Sequence, residues 1–176
     1  MGQDVSEKRP HPTALRVQER LRERGLEIEV RTLDASTRSA AEAAEAVGCD
    51  EGQIVKSLLF IVGGRPTICL CAGDRRVDPG RLGPDARPAT ADEVREATGF
   101  AIGGVPPLGH DRPLNTVADA SLRRYEDLWA AAGTPRSVFA VRTEDLIAAL
   151  DDAEVRDVGA TLGDIPSDGR HERRLR

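Results

Sequence analysis

The sequence is poor in aromatic residues and has no long apolar run. Phe, Trp and Tyr make up 3% of its 176 residues, so a core must be built from Val, Ile, Leu and Ala. No apolar run approaches the roughly 20 residues that cross a membrane. Residues 1–12 are polar and lack the apolar segment of a secretory signal. These absences predict a soluble, cytoplasmic protein without a membrane partner.

Cysteine is scarce as well. Cys49, Cys69 and Cys71 have no zinc-type spacing and no histidines beside them, so no metal or cofactor is expected. Because Cys69 and Cys71 flank Leu70 in an expected strand, their side chains share one face. Small buried side chains are the favoured interpretation, and a redox or catalytic role is the alternative.

The chain has no excess of positive charge. Its 25 Lys and Arg residues against 30 Asp and Glu residues give a net charge of −5. A broad nucleic-acid-binding surface usually carries a basic patch, so such a surface is not expected. Contact with the end of an RNA, where few phosphates are engaged, is compatible with this charge.

A single folded domain with two polar ends is predicted. Residues 1–12 are interpreted as a flexible N-terminal arm, and residues 159–176, which hold glycine, proline and charge with little to bury, as a flexible C-terminal tail. Helix and strand signals are interleaved over residues 13–158. The expected fold is therefore one α/β (α+β) domain, a mixed β-sheet flanked by helices.

Local signals place most of the elements. Strands are expected at residues 27–33, 54–62, 67–72, 113–119, 137–141 and 155–158, the second and third forming a hairpin with the second central in its sheet. Helices are expected after the caps Thr13, Ser39, Asp78, Thr90 and Thr143. Residues 121–132 fit one helix by periodicity alone.

The segment of residues 99–110, here called the glycine loop, contains four glycines and two adjacent prolines. Such a loop can turn backbone N–H groups toward an anion or an oxyanion. A tight connection between a helix and a strand is the alternative interpretation.

Three further polar residues have alternative interpretations. Asp74 fits a turn, Asp119 fits either a cleft residue or a helix cap, and His110 fits a surface position better than a proton-transfer role.

Lys56 lies inside the most apolar run of the chain, residues 54–62. A charge in such a run needs a partner or a function. The alternative is an edge-strand lysine whose end reaches solvent.

These stretches resemble the YbaK family of aminoacyl-tRNA deacylases, free-standing relatives of the editing domain inserted into many bacterial prolyl-tRNA synthetases. Three motifs carry the resemblance in order: QIVKSLLF from Gln53, CAGDRRVD from Cys71 and TGFAIGGVPPLG from Thr98. The resemblance covers about residues 13–158. It implies a strongly curved mixed sheet flanked by helices, and a short helix followed by a strand within residues 121–132.

The resemblance also implies a site and an activity. Lys56, Gly103 and Gly104 are the implied catalytic residues, and the substrate-binding residues are Ser57, Ile102, Val105, Pro106 and Asp119. The implied substrate is the 3′ end of an aminoacyl-tRNA, most plausibly tRNA(Pro) carrying Cys, Ala or Ser. A prolyl-tRNA synthetase is an implied partner.

The residues alone offer limited hydrolytic equipment. There is no nucleophile elbow, no HExxH motif and no Ser-His-Asp order. A lysine and a loop of N–H donors can polarise an ester and hold its oxyanion, while the substrate or another group activates water. The alternatives are an inactive tRNA- or synthetase-binding module of the same fold and an esterase for small aminoacylated metabolites.

Overall fold

The computed structural model describes residues 8–161, which form five helices and ten strands. The helices are Pro12–Glu23 (α1), Ala40–Val47 (α2), Pro79–Leu82 (α3), Ala91–Thr98 (α4) and Thr143–Ala149 (α5). The strands are Val30–Thr32 (β1), Val55–Val62 (β2), Arg65–Ala72 (β3), Arg75–Val77 (β4), Arg87–Pro88 (β5), Asn115–Asp119 (β6), Asp127–Ala131 (β7), Ser137–Arg142 (β8), Glu154–Arg156 (β9) and Gly159–Thr161 (β10).

The largest sheet is mixed and has the strand order β5-β2-β3-β6-β9. β2 and β3 form the predicted antiparallel hairpin, in register from Val55 opposite Ala72 to Val62 opposite Arg65. The pairs β3–β6 and β6–β9 are parallel. A second sheet, β1-β8-β7, is antiparallel, and β4 pairs with β10. The predicted α/β domain with a mixed sheet is confirmed.

β2 lies inside the large sheet between β5 and β3, as predicted, and β3 is the middle strand of the five. β3 has a partner strand on each edge, and its residues from Thr67 to Ala72 are all buried. The outer edge of β2 pairs with β5 only at Phe60 and Ile61. β5 consists of Arg87 and Pro88, and the Ala89 N–H adds one further bond of 3.0 Å to the Leu59 carbonyl oxygen.

Cys69 and Cys71 are fully buried on one face of β3, where they pack with Phe60 and Val77. Burial raises the pKa of the Cys69 thiol to about 12 and that of Cys71 to about 11. Thiols with such pKa values are not ionised near neutral pH and are poor nucleophiles. Both cysteines therefore serve the core.

The predicted caps place α2 and α4 correctly. The Ser39 hydroxyl accepts the Glu42 N–H at 3.2 Å, and Thr90 with Glu93 forms a complete capping box. The cap of α1 differs: the helix begins at Pro12, and the His11 ring accepts the Thr13 N–H. No helix within residues 8–161 is long and apolar enough to cross a membrane.

The short helix and strand implied by the resemblance appear as the 3₁₀ turn Ala120–Arg124 followed by β7. Trp129 thus lies on a strand, and the helix suggested by periodicity is absent from this segment. Thr143 opens α5 but does not cap it, because its hydroxyl donates to the Tyr125 carbonyl oxygen at 2.5 Å.

The predicted flexible tail does not begin at Gly159. Gly159–Thr161 is β10 and pairs antiparallel with β4, from Gly159 opposite Val77 to Thr161 opposite Arg75. The glycine and polar residues here suggested no strand, yet β4 offers an edge with which they pair. Residues 1–7 of the predicted arm and 162–176 of the predicted tail lie outside the described residues.

Candidate active site

A cavity of about 1040 Å³ lies beside an unpaired part of the outer edge of β2. β5 covers this edge at Phe60 and Ile61, and Ile54 forms an isolated bridge with Trp129 at the other end. Between these points no strand in residues 8–161 pairs with the outer edge. The cavity is bounded by β2, β4, α2, β7, β8 and the glycine loop.

Backbone polar groups of β2 face this cavity. The Ala89 N–H donates to the Leu59 carbonyl oxygen at 3.0 Å on the outer edge. N–H and C=O groups of a strand alternate between its two edges, so those of Ser57 also point outward. The open edge therefore offers a ligand one backbone donor and one acceptor at Ser57.

Lys56 lines the cavity, as the sequence predicts. Its side chain is half-buried, and Nζ donates a hydrogen bond to the Arg75 carbonyl oxygen of β4. This bond orients the ammonium and leaves its other N–H donors for a ligand. The alternative of a lysine that extends freely into solvent does not fit this contact.

Ser57 also lines the cavity, from the opposite face of β2. Its hydroxyl oxygen is buried and has no hydrogen-bond partner within residues 8–161. Buried polar groups normally have a partner, so an unpartnered hydroxyl beside a cavity suits a polar ligand group. The prediction that Ser57 belongs to the site agrees with this position.

The glycine loop reaches the cavity through Ile102 and Gly103 at its exposed tip and through the buried Val105. Ile102 is 59% exposed, which is unusual for a large apolar side chain. Gly103 has a φ of +88°, a conformation that favours glycine. Its N–H has no hydrogen-bond partner among the described residues and is a candidate oxyanion donor.

The expectation that Gly104 presents a second N–H donor is wrong. Its N–H donates to the Ala101 carbonyl oxygen at 3.0 Å, and its own carbonyl oxygen accepts the Gly133 N–H at 2.8 Å. Gly104 is buried and does not line the cavity. A Cβ here would lie 2.7 Å from the Gly133 oxygen, so this glycine is required by close backbone approach.

Pro106 does not line the cavity either, contrary to the expectation. It is buried, and its carbonyl oxygen lies 2.7 Å from His110 Nε2. Because a carbonyl oxygen only accepts, Nε2 carries the proton in this bond. His110 therefore braces the glycine loop from behind, and burial lowers the pKa of its imidazole.

Asp119 is the third predicted site residue that lies elsewhere. The carboxylate is 1% exposed and accepts the backbone N–H groups of Val158 and Gly159, each at 2.9 Å. Ser121 donates to it, and Arg75 Nε lies 3.4 Å away. Burial alone would raise the pKa of Asp119, but these partners outweigh burial and lower it. Asp119 thus fixes the chain between β9 and β10.

Arg38, Arg76, Arg87 and Trp129 are polar or aromatic cavity residues that sequence reasoning did not assign to the site. Adjacent side chains on a strand point to opposite faces. Recognising β4 in the sequence would therefore have placed Arg75 and Arg76 on different faces. Arg38 and Trp129 come from distant parts of the chain and carry no local signal. The Arg31 guanidinium lies 5.2 Å from the centroid of the Trp129 ring.

Solved structures share this fold. The structure of a candidate trans-editing enzyme for prolyl-tRNA synthetase has a TM-score of 0.79 and 48% identity, covering 86% of this chain and 99% of that chain. Another, of hypothetical protein APE2540, has a TM-score of 0.75 and 30% identity, covering 82% and 99%. The chain thus has the fold of a trans-editing domain.

The sequence matches the aminoacyl-tRNA editing domain family over residues 34–149, and the chain belongs to that family. The protein YwhH of Bacillus subtilis (strain 168), whose function is uncharacterized, is 32% identical over 125 residues, 68% of this chain and 80% of YwhH. Proline–tRNA ligase of Lactobacillus gasseri is 37% identical over 76 residues, which cover 40% of this chain but 14% of the ligase. Lys56 and the glycine loop both lie within the family match.

Proposed function

We propose that this chain is a trans-editing deacylase that hydrolyses the ester of mischarged tRNA(Pro) carrying Cys, Ala or Ser. The observation that carries the proposal is the cavity that Lys56 and Gly103 both line. Membership of the editing-domain family supports the substrate class. The similarity to a candidate trans-editing enzyme for prolyl-tRNA synthetase supports tRNA(Pro), with the synthetase as a partner.

The proposed reaction adds water to the ester carbonyl of the aminoacyl group. As the carbonyl oxygen gains negative charge, the Lys56 ammonium and the Gly103 N–H donate hydrogen bonds to it. The bond to the ribose oxygen then breaks, and that oxygen takes up a proton. The products are the free amino acid and a tRNA with its terminal hydroxyl restored.

The proton of the attacking water needs an acceptor. Within residues 8–161 no Asp, Glu or His lines the cavity, so no ordinary side-chain base stands beside the carbonyl. In the proposed mechanism a group of the substrate therefore handles this proton: either the α-amino group accepts it, or the neighbouring ribose hydroxyl takes it up while passing its own proton to the leaving ribose oxygen. The protein positions the ester and stabilises the oxyanion.

Small apolar side chains form the wall of the cavity contributed by α2, namely Ala40, Ala43 and Val47. A hydrophobic pocket discriminates between amino acids that differ by a methylene by only about 1–3 kcal/mol. A synthetase for proline therefore benefits from a second, hydrolytic selection of small amino acids. This limit is the physical reason for an editing step.

Single-turnover hydrolysis of Cys-, Ala- and Ser-tRNA(Pro), with Pro-tRNA(Pro) as the control, tests the proposal. We expect at least one mischarged tRNA to be hydrolysed well above its spontaneous rate, and faster than the correctly charged one. The alternative is a tRNA- or synthetase-binding module, which the lack of a side-chain base in the cavity favours. Binding without hydrolysis of any of the three esters would establish the module instead.

A further inference from the structure

We propose that Arg38 and Arg76 bind phosphate groups of the tRNA 3′ end at the mouth of the cavity. This inference rests on the proposed function, because it concerns how the same cavity selects a polynucleotide ester over a small ester. Neither arginine is among the site residues predicted from the sequence. Four observations support it.

The first observation is the sign of the charge around the cavity. Within the described residues the lining contains four basic side chains and no acidic one: Arg38, Lys56, Arg76 and Arg87. The whole chain has a net charge of −5. A cavity with only positive charge in an acidic protein attracts an anionic ligand.

The second observation is that two of these cations are already engaged. Arg87 makes two hydrogen bonds of 3.0 Å to the Glu93 carboxylate, which neutralises its charge. Lys56 donates to the Arg75 carbonyl oxygen and is assigned to the ester. These contacts leave Arg38 and Arg76 for a further part of the ligand.

The third observation is that Arg38 and Arg76 are exposed and have no ion pair within residues 8–161. The Glu42 carboxylate accepts the Arg38 backbone N–H at 2.8 Å and is not paired with its guanidinium. Both guanidinium groups are therefore free to form the paired hydrogen bonds that arginine makes with phosphate oxygens.

The fourth observation is the position of the two residues. Arg38 precedes the Ser39 cap of α2, and Arg76 is the middle residue of β4. Arg75 points to Asp119 and Asp157, so Arg76 points to the other face of β4, into the cavity lining. The two cations thus come from separate elements that border one cavity, so that one strand entering it can meet both.

The test measures binding of a fluorescein-labelled RNA hairpin that copies the tRNA(Pro) acceptor stem and ends in single-stranded CCA. Affinity is measured by anisotropy between 50 and 200 mM salt for the native chain, Arg38→Ala, Arg76→Ala and the double variant. Arg65→Ala is the matched control, because Arg65 is an exposed arginine at the hairpin between β2 and β3 and does not line the cavity. Thermal unfolding verifies that each variant is folded.

We expect each cavity variant to reduce the magnitude of the slope of log K against log salt by about 0.7, the value for one phosphate contact of a single strand. The double variant should lose about twice that amount. The Arg65→Ala slope should equal that of the native chain. Slopes for Arg38→Ala and Arg76→Ala that match Arg65→Ala would overturn the inference.

A second measurement compares alanyl-tRNA(Pro) with alanyl-adenosine, an ester that has the same reacting group and no phosphate. Arg38→Ala and Arg76→Ala should each lower the ratio of kcat/KM for the tRNA to kcat/KM for the small ester, through a higher KM for the tRNA. Arg65→Ala should leave this ratio unchanged. An unchanged ratio contradicts the inference even if the chain is a deacylase. If the native chain binds the RNA hairpin but hydrolyses neither ester, the expected reduction of the salt slope in Arg38→Ala and Arg76→Ala would support the phosphate contacts and reject the proposed function.

Discussion

The Gly133 N–H donates a hydrogen bond of 2.8 Å to the Gly104 carbonyl oxygen, which holds the glycine loop against the turn that follows β7. A Cβ on Gly104 would lie 2.7 Å from the Gly133 oxygen and 2.9 Å from Thr134 Cα. This contact separates the roles of the two adjacent glycines. Gly104 holds the loop in place, and Gly103 presents its backbone to the cavity.

We expect Gly104→Ala to destabilise the fold by about 1–3 kcal/mol, because backbone atoms must move to admit the methyl group. In a domain of this size each kcal/mol corresponds to about 2–4 °C in Tm. Thermal unfolding measures the loss. A Tm equal to that of the native chain would show that the close contact with Gly133 is dispensable.

We expect Gly103→Ala and Gly103→Val to reduce deacylation more than stability. A Cβ at Gly103 has only Pro135 Cγ within 4 Å, at 3.9 Å, so the direct cost is that of a positive φ, about 1–2 kcal/mol. Displacing an oxyanion donor typically costs on the order of 10²-fold in rate or more. Valine should be worse than alanine because its branched side chain tolerates positive φ less. Full single-turnover rates in the folded variants would contradict the role of Gly103.

Lys56→Met should abolish most deacylation while the chain remains folded. Methionine keeps much of the apolar stem of lysine but removes the ammonium and its bond to the Arg75 carbonyl oxygen, worth about 1.5–3 kcal/mol for a charged donor. The measurements are Tm and the single-turnover rate on the same preparation. Near-native turnover would exclude Lys56 from the reaction.

Asp119→Ala should destabilise the fold by about 3–5 kcal/mol, because it removes the charge partner of Arg75 Nε and the acceptor of two buried backbone N–H groups. The folded fraction should retain its rate, since Asp119 does not line the cavity. Urea unfolding and single-turnover kinetics separate the two effects. A large loss of rate in a variant that remains stable would show that Asp119 takes part in the reaction.

The stability of the native chain should fall as the pH decreases below about 6.5. Burial lowers the pKa of His110 below its usual value of 6.5, although the bond to the Pro106 carbonyl oxygen opposes this shift. Just below pH 6.5 the unfolded chain therefore binds a proton that the folded chain does not, which favours unfolding. Tm measured from pH 7.5 to 5.0 should fall less steeply in His110→Gln. Equal slopes would show that His110 does not titrate with unfolding.

We propose that the folded domain extends to Thr161 and that residues 167–176 are dispensable. The sequence of 167–176 has almost no apolar residues to anchor it, so its deletion should change Tm by less than about 4 °C. A chain that ends at Asp157 lacks β10 and the N–H groups that Asp119 accepts, so it should be much less stable. Thermal unfolding of the two truncated chains compares these expectations directly.

The sequence by itself determined the local elements and the general position of the site. The hairpin of β2 and β3, the caps of α2 and α4 and the exposed part of the glycine loop follow from patterns within a few residues. Such patterns act through hydrogen bonds and side-chain alternation between near neighbours, so a single stretch suffices to reveal them. Lys56 was predictable for the same reason, because a charge in an apolar run is conspicuous locally.

Only the tertiary structure decided which polar and glycine residues meet. Gly104 is hydrogen-bonded to Gly133, and Asp119 to Val158 and Gly159. These partners lie far along the chain, so no local sequence pattern predicts the contacts. Arg38 and Arg76 likewise reach one cavity from separate elements. Backbone approach, burial and charge depend on which surfaces the fold brings together, and these properties assigned the glycines, the aspartate and the arginines their places.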